Sequence, residues 1–522
     1  MTLPLPIKHV LPRKRITSKL TQLIMALFAS CPVAVSADTL NLIKPLELKT
    51  SYEQWQLPGN ESTGMAAVGI QAPISDWISV GVEARSATAG NRGGFITLGI
   101  AGELVYPLTR DWALEAGLSI GAGGGRGGAY LSGGGLMIHQ HAGVRYAVPD
   151  IGLFSLGYSS VEFPNDGAIR SNQPYVGYSL PFYALLEPGT NNRQQRSPGW
   201  ITFSDYSPHR HQMMFVTRGY MTDAAVRDVN GNAAPNMGLV GVEWRTFIDD
   251  NWFIRGHTEA AAQGSSAGYM QVMGGAGRSF RLNRHIELLA AVSVGGGGGG
   301  GVESGGGFLL DGTVGAQWHV TPQWFAEISA GRIMTPASQF SATSIDARIG
   351  YQLGRSAKVS ELSAEEILDD HPLRLRVGSH QYQKASENWR TEPHRNVDNL
   401  AIQLDYFVSP RWFLTGQGIG AYAGGAGAYM TGLVGAGVRQ EITQAVFVEG
   451  ELLAGAAGGG GLNTGSGLLS QANLSLGWQL TPSIAVLGSI GRAAAIDGPF
   501  SANVFGISVA HSLNMYTPKV AK

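Results

Sequence analysis

The chain has 522 residues, with 37 lysines and arginines against 38 aspartates and glutamates, and 74 of its residues are glycine. That glycine share is about twice the usual ~7%, without the Gly-X-Y period of collagen. Near-neutral charge with no basic cluster in the body of the chain excludes nucleic acid as an expected partner. No stretch after the N-terminus reaches the ~18 consecutive apolar residues of a spanning helix, so a membrane-spanning reading requires a barrel.

The N-terminus reads as an export leader. Lys8, Arg13, Lys14, Arg15 and Lys19 form a basic region, Leu23 to Ala29 with Val33 to Val35 an apolar one, and Val35-Ser36-Ala37 a small-residue cleavage site before Asp38. Residues 1–37 are therefore the expected signal peptide. The only cysteine, Cys31, lies within it, so the mature chain can form no disulfide and no Cys-ligated metal site. A competing reading takes Phe28-Ala29-Ser30-Cys31 as a lipobox with Cys31 lipidated, for which Phe28 is a poor match.

Internal repetition is the strongest signal in the mature chain. Asp76-Trp77-Ile78 matches Asn251-Trp252-Phe253 and Arg411-Trp412-Phe413. Gly94-Phe95-Ile96 matches Gly268-Tyr269-Met270 and Ala428-Tyr429-Met430. A glycine-rich tract follows in each copy, at Gly121–Gly128, Gly295–Gly301 and Gly455–Gly461, and beyond it Gly133–Val148, Gly305–Val320 and Gly465–Leu480 align without gaps. The resulting organisation is repeat 1 at 38–182, a linker at 183–199, repeat 2 at 200–354, a linker at 355–371 and repeat 3 at 372–522. The second linker is expected to hold a short helix at Ser363–Asp370, with Ser363 and Glu366 as its cap.

Within each copy the hydrophobic period is two. Trp112, Leu114, Ala116, Leu118 and Ile120 share one face and Ala113, Glu115, Gly117, Ser119 and Gly121 the other. The first copy yields eight such strands, near 46–56, 65–74, 77–87, 94–106, 112–123, 134–148, 151–163 and 172–182. The apolar faces want lipid or core, and the polar faces mark Glu83, Arg85, Glu115, His139, His141, Arg145, Asp311, Thr313, Gln471 and Asn473 as lumen-facing candidates. Short polar turns such as Pro107–Asp111, Asp249–Asn251, Thr321–Gln323 and Ser409–Arg411 lie at one edge. Longer or glycine-rich links lie at the other, including Pro208–Pro235 and Lys384–Asp398. Trp77, Trp112, Trp252, Trp318, Trp324, Trp412 and Trp478 stand beside the short turns, where an aromatic girdle would meet the lipid headgroups.

A polar turn, then Asp-Trp or Asn-Trp, then an alternating strand resembles the periplasmic turns of small bacterial outer-membrane barrels of the OmpA and OmpX type. The last strand, Val504–Leu513 with Gly506, Ile507, Val509 and Leu513, resembles their C-terminal assembly signal. It departs from that signal because Tyr516 to Lys522 follow without a terminal Phe or Trp. The resemblance implies an all-β, antiparallel transmembrane barrel in the outer membrane, with outer-membrane lipid and the barrel-assembly machinery as partners. It transfers no active site.

About 24 strands as 3 × 8 leave two architectures, one wide barrel or three small ones. Many inward positions are Gly, Ser or Ala and would leave an eight-stranded barrel hollow, which favours the wide barrel, whereas the inward charges could fill a small one. The glycine tracts, with Gly125, Gly297 and Gly459 as candidates, could curl over the lumen as a gate, or could only relieve crowding. Strands of about 18 residues are expected there. His139 and His141 share a face, but Asp311 and Thr313, then Gln471 and Asn473, replace them in the other copies, which argues against a metal site. No Gly-x-Ser-x-Gly, His-Glu-x-x-His or P-loop motif is present, so neither enzyme activity nor a cofactor is expected. The favoured function is an outer-membrane channel or export conduit with a polar lumen and a periplasmic export partner. The alternative is a structural or surface-interaction barrel with filled interiors and no conductance, and a hydrolase comes third.

Overall fold

The computed structural model describes residues 43–149, 151–188, 210–354, 368–391 and 396–518. The leader with Cys31 and its cleavage site, most of both linkers and the cap residues Ser363 and Glu366 lie outside these residues. In the first copy the strands are β1 (Ile43–Leu57), β2 (Glu61–Pro73), β3 (Ile78–Ala89), β4 (Ile96–Pro107), β5 (Trp112–Gly123), β6 (Met137–Val148), β7 (Gly152–Glu162) and β8 (Arg170–Pro188). The second copy contributes β9 (His211–Thr222), β10 (Met237–Phe247), β11 (Trp252–Gln263), β12 (Met270–Arg281), β13 (Ile286–Gly298), β14 (Phe308–His319), β15 (Trp324–Met334) and β16 (Ser341–Leu353). The third contributes β17 (Leu368–Lys384), β18 (Val397–Phe407), β19 (Trp412–Ala423), β20 (Met430–Glu441), β21 (Val446–Gly458), β22 (Leu468–Gln479), β23 (Ile484–Ala495) and β24 (Ser501–Pro518).

Consecutive strands pair antiparallel, and each copy then closes on itself: β1 with β8, β9 with β16, β17 with β24. The fold is three transmembrane-type barrels of eight strands. Of the two architectures left open by the sequence, the wide barrel, which the small inward residues favoured, does not form. The reason is that the interiors are filled by side chains from other inward positions, described below. Alternation explains the strands themselves. In β13, Glu287, Leu289, Ala291 and Ser293 are buried inside while Ile286, Leu288, Val292 and Val294 are exposed on the outer wall.

The short turns share one construction. Thr109 Oγ1 accepts the N–H groups of Asp111 and Trp112 at 3.3 and 3.1 Å, and Asp249 Oδ1 accepts those of Asn251 and Trp252, both at 2.7 Å. Thr321, Ser409, Asn283 and Thr443 repeat the pattern. The side chain supplies the acceptor that the reversed backbone lacks. At Asp249 the two N–H groups hold the carboxyl below the usual carboxylate range.

Three expectations differ from the structure. His211–Thr222, within the link expected at Pro208–Pro235, is strand β9, because Phe215 and Met221 face outward while Met214, Val216, Arg218 and Tyr220 pack inward. Leu368, Asp369 and Asp370, the end of the expected helix, begin β17, whose register with β24 runs unbroken from Leu368 to Lys384. The fifth strands have 12 or 13 residues, and the long ones are the closing strands β8, β17 and β24, at 19, 17 and 18.

The barrels contact one another cyclically. The third strand of each meets the fifth of another: β3 against β13, β11 against β21, and β19 against β5. Such head-to-tail contacts close a ring only when the rotation between units matches their number. At the glycine-rich end the joints are backbone to backbone, with Gly93 N–H donating to Gly305 O at 2.8 Å, Gly425 N–H to Gly133 O at 2.8 Å and Gly135 N–H to Ala421 O at 3.0 Å. Gly94 has φ +86, and a Cβ there would overlap Gly298 and Gly299 of the second barrel, so only glycine fits. Arg126 and Glu303 pair across the first and second barrels at 3.4 Å. At the short-turn end, Leu186, Met213, Trp244, Leu353, Tyr406 and Met515, from all three barrels, form one apolar cluster.

Arg126→Cys with Glu303→Cys should therefore be joined by a short bismaleimide in the otherwise wild-type mature chain. After cleavage at a protease site introduced at residue 195, the fragments should run together on a denaturing gel; separation despite complete labelling would contradict the joint.

Candidate functional site

Every barrel interior carries a band of paired charges. In the first barrel Arg85 Nη1 donates to Glu53 Oε1 at 2.6 Å and Arg85 Nε to Glu83 Oε1 at 3.1 Å. His139 Nε2 lies 3.1 Å from Glu53 Oε2, and Ser159 Oγ donates to the same carboxylate. Nearer the short turns, Arg145 reaches Glu103 at 2.6 Å and Glu115 at 2.9 Å, and Lys49 joins Glu103 at 2.7 Å. His141 is partly buried, its ring 5.2 Å from that of Tyr175. Glu103, Glu115 and His141 bring three ligand-type atoms within 4.8 Å of one another, but Lys49 and Arg145 already hold both carboxylates. Two fixed cations at that spot oppose a metal ion.

The second barrel is the most densely charged. Arg348 donates to Glu243, Glu327 and Asp346 at 3.0, 3.1 and 3.2 Å. Arg245 joins Glu243 at 2.7 Å and Glu327 at 2.9 Å, and Arg218 joins Asp346 at 2.9 Å and Asp311 at 3.3 Å. Thr313 is buried beside this band. In the third barrel Arg374 joins Glu449 at 2.6 Å and Asp405 at 2.8 Å, and Arg376 pairs with Asp405 and Glu451. Above them Tyr382 Oη donates to Gln471 Oε1 at 2.9 Å and Asn473 Nδ2 to Glu451 Oε2 at 3.4 Å.

Aromatic caps close the interiors toward the glycine-rich end. Trp55 packs edge-on to Phe95 and Phe163 at 5.7 and 6.2 Å in the first barrel, Tyr269 lies 6.1 Å from Phe340 in the second, and Trp389 stacks on Phe500 at 6.2 Å in the third. At the short-turn end Phe247, Phe253 and Leu289 close the second barrel and Phe447 and Leu487 the third. Beneath these layers buried ions persist only when paired. Arg218 and Asp346 are 2% and 0% exposed.

The structure brings Glu83, Arg85 and His139 together, and separately Glu115, His141 and Arg145; Asp311 joins Arg218, and Gln471 joins Asn473. Sequence reasoning missed Glu243, Arg245, Asp346, Arg348, Arg374, Arg376, Glu449 and Glu451, although each pair at spacing two must share a strand face. The glycines proposed as gates sit against backbone and side chains of their own barrels. A Cβ at Gly125 would strike Gly94 O, one at Gly459 would strike Ala428 O, and one at Gly297 would lie 2.6 Å from Leu309 Cδ1.

The outer walls are apolar, and the seven tryptophans of the expected girdle are all exposed at the short-turn end, from 44% for Trp324 to 63% for Trp478. Polar interiors, apolar walls and closed strand ladders define the class: antiparallel β-barrels of the transmembrane type.

No protein-family model matches the chain, and a search of curated proteins returns no match. Among solved structures, a mutant ferric enterobactin receptor from Pseudomonas aeruginosa with bound enterobactin is 10% identical, covering 90% of this chain and 81% of that one at a TM-score of 0.29. The siderophore receptor PirA from Acinetobacter baumannii is 10% identical over 90% and 80% of the two chains at 0.27. A de novo designed transmembrane β-barrel is 12% identical over 27% of this chain and 95% of that one at 0.20. Overlap at this level assigns nothing further, and the functional reading rests on the chain's own residues.

Removing one partner from a buried network leaves uncompensated charge. Arg348→Ala should therefore cost about 3–5 kcal/mol of stability, measured by reversible urea unfolding in detergent micelles; a loss below about 1 kcal/mol would show that the interior is solvated.

Proposed function

We propose that the protein is a bacterial outer-membrane assembly of three plugged barrels that acts through its surfaces and barrel joints, without conducting through its interiors. The observation that carries this reading is the stacking of aromatic caps over paired ions in every barrel, exemplified by Trp55, Phe95 and Phe163 above Arg85 and Glu53. A water-filled conduit needs a continuous wet path, and these layers interrupt it. The apolar walls and the exposed tryptophans support insertion in a bilayer, with the short turns on the periplasmic side and the glycine-rich joints outside. Outer-membrane lipid and the barrel-assembly machinery are the partners this placement requires. Rigidly packed barrel tips suit a structural or surface-contact role better than a gate, because the backbone joints at Gly93, Gly133 and Gly305 leave little room for hinge motion.

Purified protein in planar bilayers should give no stepwise conductance above that of the lipid, while fractionating with the outer membrane in cells. Stable channels with reproducible unitary conductance would overturn the reading.

A further inference from the structure

On the outer wall of the third barrel, between two rows of outward side chains, a groove of about 820 Å³ runs across β19 to β24, from Trp412 at the short-turn end to Arg492 and Asn503. Leu452 and Ala472 stand on one side of it and Leu474, Ile490 and Phe505 on the other. Gly450 opens its floor, since a Cβ there would meet nothing closer than Val438 Cγ1 at 3.9 Å. Following the ladder row across these six strands covers five spacings, roughly 24 Å of curved wall at a ~4.8 Å strand spacing. Because barrel strands tilt by roughly 40°, the groove climbs the wall as it crosses them.

At its upper end stands a cation. Arg492 donates to Asn503 Oδ1 at 3.1 Å, and among the described residues it forms no ion pair with a carboxylate. The equivalent position in the second barrel is Arg332, which Asp223 neutralises on the same outer wall at 3.3 Å from Nη1. In the first barrel the equivalent is Ser160. At this aligned position, among the described residues, the third copy alone carries an outward guanidinium without a carboxylate partner. A guanidinium pairs with a phosphate through two N–H groups, and Asn503 offers a further amide donor beside it.

We propose that this groove is a binding site for a phosphate-bearing diacyl lipid, with the phosphate on Arg492 and Asn503 and an acyl chain running down past Ile490 and Leu474 toward Trp412. The site rests on the membrane placement proposed above. Charge selects the headgroup end, and the apolar rows exclude a free hydrophilic anion.

The test uses the full mature protein in dodecyl maltoside, with dioleoyl phosphatidylglycerol as probe and dioleoylglycerol, which has the same chains without phosphate, as comparison. Native mass spectrometry should show one retained phosphatidylglycerol and no retained diacylglycerol. Chains brominated near the terminal methyl should quench tryptophan fluorescence in wild type more than in Trp412→Phe. Arg492→Ala and, separately, Gly450→Trp should weaken retention at least tenfold, whereas Arg332→Ala should leave it unchanged. Equal retention by Arg492→Ala, equal binding of diacylglycerol, or displacement by millimolar inorganic phosphate would each overturn the proposal. If the variants still insert into liposomes like wild type, such a result removes the lipid site and leaves the membrane reading standing; failure of wild type to insert removes the membrane reading itself.

Discussion

A strand in lipid has no water to satisfy its backbone, so each sheet must pair its first strand with its last or leave an unpaired edge in hydrocarbon. Here that constraint is met three times within one chain. The longest ladder among the described residues is a closing one, seventeen pairs between Leu368–Lys384 and Ala502–Pro518 in the third barrel. Closure fixes what is inside and what is outside, and every other feature follows from that division. Once eight strands close, the interior is narrow enough to be filled by side chains.

Filling is done with two chemistries. Arginines fork between carboxylates in the middle of each barrel, as Arg348 does with Glu243, Glu327 and Asp346, and aromatic residues cap the glycine-rich ends. Neither works alone, because the ions need shielding from competing water and the caps need a rigid floor. The glycines serve a different surface. They thin the tips so that barrels meet through backbone groups, and the third-to-fifth strand contact repeats around the ring until it closes. Three unequal copies in a closed ring allow one copy to specialise, and the third does so on its outer wall at Arg492.

Much of this was legible in the sequence. The turn residues Thr109, Asp249, Thr321 and Ser409 announced their reversals because a short side-chain acceptor three residues before a strand is a local device. Seven of the eight strands of the first copy were placed to within a few residues for the same reason, period two being a local property, while β8 runs six residues past its expected end at 182. Strand β9 was hidden, since Met213, Met214, Phe215 and Val216 are apolar on both faces. Closure was not legible, because pairing β1 with β8 or with β24 uses the same alternating residues. The lumen was misjudged by counting Gly, Ser and Ala without the volume of Arg218, Arg348, Trp55 or Trp389. Apart from Trp55, which keeps the period of β1, the cap residues Phe95, Phe163, Tyr269, Phe340, Trp389 and Phe500 lie just beyond strand ends, where no periodicity marks a side chain as inward.

The most direct test of closure is a distance across one seam. Phe215 of β9 and Ile349 of β16 are ladder partners and both face outward, so spin labels at Phe215→Cys and Ile349→Cys report on it without disturbing the interior. In three separate barrels the labels should lie within about 15 Å and show strong dipolar broadening, given a strand spacing of ~4.8 Å. In a single wide barrel seven strand spacings, roughly 30 Å, would separate the strands; absence of broadening in fully labelled, membrane-inserted protein would contradict the fold on which the account depends.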